Sequence, residues 1–173
     1  MPRADSESRA ASSAATPYTE GEFDFRGAAG QITELPFCPA DLPSQIAKKL
    51  RHARYGWLTT VAPSGIPMPM LVWFLFDGHT LTVYSQPPTA RVRHVLDRPE
   101  VSLHLDSDGV GSGLLIVGGR AALTAEGVDP RDDSDFWAKY HVEAEAVGLS
   151  EVISTYSAKI SITPTTLWTT YDA

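Results

Sequence analysis

The chain has 173 residues, 43% hydrophobic and 20% charged, and its 14 Lys and Arg against 21 Asp and Glu give a net charge of −7. That length supports one ordinary domain with a sizeable core, and the acidic balance argues against a generic nucleic-acid binder, whose phosphate affinity rests on clustered Lys and Arg. The lone cysteine, Cys38, excludes an internal disulfide and a cysteine zinc cage, and no apolar run approaches the roughly 20 residues that span a bilayer, so the expectation is a soluble, cytoplasmic protein without nucleic-acid or membrane partners.

Residues 1–35 read as a flexible tail: they are mostly Ala, Ser, Gly, Thr and scattered charge, too poor in apolar surface to offset their ordering entropy. The alternative for this stretch is that Phe23-Asp24-Phe25 docks on the domain or on a partner subunit. Residues 36–173 form the expected domain. From Asp41, Leu42, Ile46 and Leu50 recur at four-residue steps, which predicts a short amphipathic helix ended by Gly56. Three strand-like segments follow, Trp57 to Ala62, Met68 to Phe76 and Thr80 to Ser85, separated by Pro63-Ser64-Gly65 and Asp77-Gly78 turns. Two hairpins would set these strands side by side.

Gln86-Pro87-Pro88-Thr89 then breaks the sheet. Ala90 to Asp97 carries Val92, Val95 and Leu96 at helical spacing and is stopped by Pro99. Val101 to Leu105 alternates as a half-buried strand does. Leu114 to Leu123 is a strand with a bulge or bend at Gly118-Gly119. Asp133 to Ala146 reads as helix, and Val152 to Tyr156 as a helical turn. Lys159 to Thr170 is the last strand, with Pro164 marking a kink or an edge position. Six strands joined mostly by short turns predict a mainly β protein, an antiparallel β-barrel with few helices.

The most informative stretch is Tyr84-Ser85-Gln86-Pro87-Pro88-Thr89-Ala90-Arg91-Val92-Arg93. A strand ends in a hydroxyl, and a helix starts at a second hydroxyl with two arginines in or near its first turn. Cations there oppose the helix dipole and call for a nearby anion, while the helix N-terminus and the forked guanidinium suit one. Ser85, Thr89 and Arg91 therefore make a candidate phosphate cradle; the competing reading is a capped helix with two solvated arginines. Gly109-Val110-Gly111-Ser112-Gly113 leads into a strand rather than a helix and so reads as a hairpin loop, not a dinucleotide fingerprint. The five histidines show no metal-ligand spacing, no nucleophile elbow is present, and no side chain is singled out as a general acid or base.

The order of Trp57-Leu-Thr-Thr-Val-Ala-Pro-Ser-Gly-Ile-Pro67, Leu71-Val-Trp-Phe-Leu-Phe-Asp-Gly78, Tyr84-Ser-Gln-Pro87, Arg91-Val-Arg-His-Val-Leu-Asp-Arg-Pro99 and Val101-Ser-Leu-His-Leu-Asp106 resembles the pyridoxamine 5′-phosphate oxidase-like split β-barrel proteins. Within them, and with Lys159-Ile-Ser-Ile-Thr-Pro-Thr-Thr-Leu-Trp168, the chain is most similar to the actinobacterial branch of oxidoreductases that use the deazaflavin F420. The resemblance spans roughly residues 40 to 171. It implies a six-stranded split barrel and a homodimer with cofactor sites at the subunit interface. It places the cofactor phosphate at Ser85, Thr89 and Arg91, with Arg93 as a secondary contact, and the ring system beside Met70, Val72 and Trp73. Family members more often carry Lys at position 91 and Asn at position 94.

What the resemblance implies about chemistry is hydride transfer between F420 and an unsaturated organic substrate, the protein supplying binding, orientation and exclusion of water. The polyanionic F420 tail makes Lys48, Lys49, Arg51 and Arg54 a candidate tail patch; the alternative is the wet face of an amphipathic helix. Two further readings stay open. FMN, with its single phosphate, fits the same cradle. A non-catalytic protein that binds a flavin, a deazaflavin or a haem-type ligand is the other, with haem disfavoured because nothing singles out an axial histidine.

Overall fold

The computed structural model describes residues 32–109 and 112–171. Eight strands and three α-helices make up the fold: β1 (Thr33–Pro36), α1 (Ser44–His52), β2 (Tyr55–Val61), β3 (Pro67–Trp73), β4 (Leu75–Phe76), β5 (Leu81–Ser85), α2 (Ala90–Asp97), β6 (Glu100–Leu105), β7 (Leu115–Ala125), α3 (Ser134–Ala146) and β8 (Ala158–Thr169). Single 3₁₀ turns occupy Pro39–Asp41, Pro130–Asp132 and Ile153–Thr155. All strand pairs are antiparallel, in the order β3-β2-β6-β7-β8-β5-β4, with β1 added to β8.

The expected count of six strands is corrected to eight, for two reasons. β1 has no alternation of its own, with three of its four residues exposed; it is a strand because it lies in register with β8, Thr33 opposite Thr169. Its start at Thr33 also falls inside the stretch read as tail, of which residues 1–31 lie outside the described residues. The predicted second strand, Met68 to Phe76, is in turn two. Its first part, β3, pairs with β2, and its second, β4, pairs with β5. The two ends of the ladder path are thus consecutive pieces of chain joined through Phe74. The sheet is open in hydrogen bonds and continuous in covalent connectivity.

Elsewhere the local readings hold with small shifts. Ile46 and Leu50 bury the inner face of α1, which begins at Ser44 and ends at His52; Gly56, expected to end it, lies instead in β2. In α2, Val92 and Val95 are buried, whereas Leu96 is 62% exposed and takes no part in the core. The β7 register slips between Gly118 and Gly119. A Cβ on Gly118 would stand 2.8 Å from the Trp168 ring, and one on Gly119 2.6 Å from the Thr163 carbonyl oxygen, so both positions require glycine for close approach. Pro164 lies in β8 between the segment paired with β5 and the segment paired with β1, a gap where its missing N–H costs nothing.

The main core lies inside the curled sheet, with Leu58, Phe74, Leu81, Val83, Leu103, Leu115, Ile160, Ile162 and Leu167 among its buried members, and α1 and α2 add Ile46, Leu50, Val92 and Val95. A second, aromatic cluster of Tyr84, Phe136 and Tyr140 joins α3 to the sheet, with Trp73, Leu75, Val128 and Tyr156 packed on it. Asp133 caps α3 by accepting the Phe136 amide proton.

Candidate functional site

A cleft of about 350 Å³ opens where the end of β3, the end of β5, the start of α2 and the segment from α3 to β8 converge. Met70, Leu71, Val72 and Trp73 form one wall, and Tyr84, Ser85, Gln86, Thr89 and Arg91 form its polar end. Phe136, Leu149, Ile153 and Tyr156 form the opposite wall. Six of the seven residues expected to hold a cofactor therefore meet in one cavity: Met70, Val72, Trp73, Ser85, Thr89 and Arg91. Arg93 does not line it and is exposed on the far side of α2.

The hydroxyls at the polar end form a directed chain. Thr89 Oγ1 donates to the Gln86 carbonyl oxygen at 2.9 Å. With that proton committed, Ser85 Oγ donates to Thr89 Oγ1 at 3.0 Å, and Arg91 Nη1 approaches Ser85 Oγ at 3.4 Å. Ser85 is buried. The network fixes the strand end against the helix start and aligns the guanidinium on the cavity.

Among the described residues, Arg91 is the one cation lining the cleft, and it has no carboxylate partner there. Its Nε is buried without a hydrogen-bond acceptor. Burial lowers its pKa from the ordinary arginine value, and the electrostatic influence of Tyr156 acts in the opposite sense. A guanidinium taken out of water with one N–H unpaired is costly to the protein on its own. An anion placed in the cleft would satisfy it, so the residues present fit a phosphate group.

The ring wall is rigid. Trp73 stacks on Tyr140 with ring centroids 4.9 Å apart and planes 3° from parallel, and Tyr140 packs on Phe136 at 4.8 Å. The Tyr84 hydroxyl donates to Asp133 Oδ2 at 2.8 Å, and Lys159 Nζ lies 3.1 Å from the same oxygen. Burial, then the bond to Asp133, raises the pKa of Tyr84, so it stays a neutral phenol.

Lys48, Lys49, Arg51 and Arg54, the expected tail patch, do not reach the cleft. Lys49 donates to the Asp106 and Gly113 carbonyl oxygens and so ties α1 to the β6–β7 loop. Arg54 pairs with Glu143 of α3 and lies over the Tyr140 ring. Lys48 and Arg51 are exposed. His94 is buried against Thr60, Nδ1 to Oγ1 at 3.0 Å, and His104 bonds Thr59 at 2.9 Å. Among the described residues no group of three His, Cys, Asp or Glu is arranged to hold a metal. Val110 and Gly111 of the glycine-rich loop lie outside those residues.

Sequence reasoning missed Leu71, Tyr84, Gln86, Phe136, Leu149, Ile153 and Tyr156. Leu71, Tyr84 and Gln86 are chain neighbours of expected residues and were within reach. The other four come from the long β7–β8 connection, and no local pattern in it points to the cleft.

A model of the family described as pyridoxamine 5′-phosphate oxidase matches residues 42–171. The fold is shared with an F420 reductase at 20% identity, over 73% of this chain and 98% of that one, with a TM-score of 0.57. General stress protein 26 of Bacillus anthracis aligns at 18% identity, covering 74% and 93% of the two chains, with a TM-score of 0.57. A FAD-binding protein of Mesorhizobium loti aligns at 15% identity, covering 80% and 98%, with a TM-score of 0.53. No curated protein sequence matches the chain.

Proposed function

The chain belongs to the pyridoxamine 5′-phosphate oxidase family, and from that premise we propose that it is an oxidoreductase that binds F420 and moves a hydride between this deazaflavin and an unsaturated organic substrate. The observation that carries the reading is Arg91, a half-buried guanidinium whose buried Nε is unpaired, at the polar end of an apolar-walled cleft. The bound cofactor supplies the two-electron chemistry. Arg91 neutralises the phosphate, the Ser85–Thr89 network holds Arg91 in place, and Met70, Val72 and the stacked Trp73 offer a flat apolar surface to a ring. Phe136, Leu149 and Ile153 exclude water from the opposite side.

FMN is the second reading, and one observation favours it. Among the described residues the cleft presents a single cation, and none of the four basic residues near α1 lines it. That suits one phosphate better than a polyanionic tail. The experiment that tests both is a parallel fluorescence titration of the purified protein with F420 and with FMN. Micromolar or tighter binding of F420 supports the first reading, binding of FMN alone supports the second, and binding of neither overturns the cofactor assignment.

The active form in this proposal is a homodimer. Tyr55 and Trp57 of β2 lie opposite Trp73 and Leu71 of β3, and Tyr55, Trp57 and Leu71 are 47%, 42% and 50% exposed. A contiguous apolar face of this kind marks an interaction surface. Because Leu71 and Trp73 also line the cleft, a second copy seated there would cover its mouth.

A further inference from the structure

We infer that the Tyr156 hydroxyl is a second contact for the anionic group of the bound ligand, facing Arg91, so that this group is held from α2 and from the segment entering β8. The inference rests on the cofactor reading above and adds a residue from a different part of the chain, one that determines how the phosphate is positioned.

Tyr156 follows the 3₁₀ turn Ile153–Thr155 and is fixed there by its own N–H, which bonds the Ile153 carbonyl oxygen at 3.0 Å. The turn is tied to the polar end of the cleft, because Gln86 Nε2 donates to Thr155 Oγ1 at 3.0 Å. The Tyr156 ring packs on the Tyr84, Phe136 and Tyr140 cluster. Its position is therefore set by contacts on two sides, and it lines the same cavity as Arg91.

A count of the cleft hydroxyls then singles it out. The FMN phosphate is a monoester with about −1.5 to −2 charge and three acceptor oxygens near neutral pH, the F420 phosphate is a singly charged diester, and the oxygens of either accept more hydrogen bonds than one guanidinium fork supplies. The other cleft hydroxyls are committed: Tyr84 to Asp133, Ser85 to Thr89, and Thr89 to the Gln86 carbonyl. The Gln86 amide spends one of its two N–H groups on Thr155 Oγ1. The Tyr156 phenol is the remaining hydroxyl on the cavity wall and has no hydrogen-bond partner among the described residues. It sits within electrostatic range of Arg91.

The test compares wild type with Tyr156→Phe by fluorescence titration with FMN and F420, and with their phosphate-free counterparts, riboflavin and the bare deazaflavin chromophore. Loss of a hydrogen bond to a charged group predicts about tenfold or greater weakening for the phosphate-bearing ligand, with riboflavin and the bare chromophore bound by the two proteins within twofold. Unchanged affinity for the phosphate-bearing ligand overturns the inference. So does an equal loss with and without phosphate, which would make Tyr156 a packing residue. Failure of wild type to bind any of the four removes the cofactor reading itself, and the inference with it.

Discussion

The Tyr140 hydroxyl stands 2.9 Å from the Phe74 amide nitrogen and 2.6 Å from the Phe74 carbonyl oxygen, so one side chain of α3 serves both backbone groups of the residue that separates β3 from β4. A strand that changes partners leaves the intervening peptide without a ladder, and buried peptide groups must be paired. The phenol supplies that pairing, and its oxygen also lies 2.6 Å from the Arg54 carbonyl oxygen at the start of β2. Because Trp73 stacks on the same ring, the division of the sheet and the flat wall of the cleft share one support.

Tyr140→Phe keeps the ring and removes the hydroxyl. The buried Phe74 N–H then lacks its acceptor, and the expected loss is about 1–3 kcal/mol of stability. Urea unfolding measures it; an unchanged midpoint would show that the split does not depend on the phenol.

Arg91 should trade stability for binding. Arg91→Glu is expected to weaken the phosphate-bearing cofactor by more than tenfold (~1.4 kcal/mol or more). Arg91→Met should lose the ligand comparably while the ligand-free protein unfolds at the same or a higher urea concentration, since it removes a half-buried charge with an unpaired Nε and no carboxylate partner among the described residues. Retained affinity in both variants would remove Arg91 from the site.

Lys139 gives the pH dependence a sign. Its Nζ donates to the Phe74 carbonyl oxygen at 2.9 Å between the Phe74 and Tyr140 rings, and burial, with Arg54 nearby, lowers its pKa from 10.5 to about 8. Between those values the unfolded chain binds more protons than the folded one, so this group makes stability rise with pH from about 8 and level off above about 10.5. Denaturation across that range should show a rise in wild type that is missing in Lys139→Met. Parallel curves for the two proteins would contradict the assignment.

The apolar face of β2 and β3 predicts the assembly. Trp57→Glu together with Leu71→Glu places two like charges at register-paired positions and should convert a dimer into a monomer of unchanged secondary structure. Light scattering and circular dichroism read the two quantities. A monomeric wild type would refute the dimer.

The sequence alone determined what depends on neighbours in the chain. Pro63-Ser64-Gly65 and Asp77-Gly78 mark their turns, Gly118-Gly119 marks the bulge, and Val92 with Val95 marks the buried face of α2. The same holds for Ser85, Thr89 and Arg91, which lie within seven positions and meet because a strand end, a proline turn and a helix start leave few alternatives. Only the tertiary structure decided that the Arg91 Nε is buried with no carboxylate partner for the guanidinium among the described residues, and that Lys49 and Arg54 are spent on the Asp106 carbonyl and Glu143. It alone divided β3 from β4 through Tyr140 and brought Phe136 and Tyr156 to the cleft. Backbone preference and periodicity are local and can be read in a short window. Desolvation, partner choice and the walls of a cavity arise from packing between segments tens of residues apart, on which no local window bears.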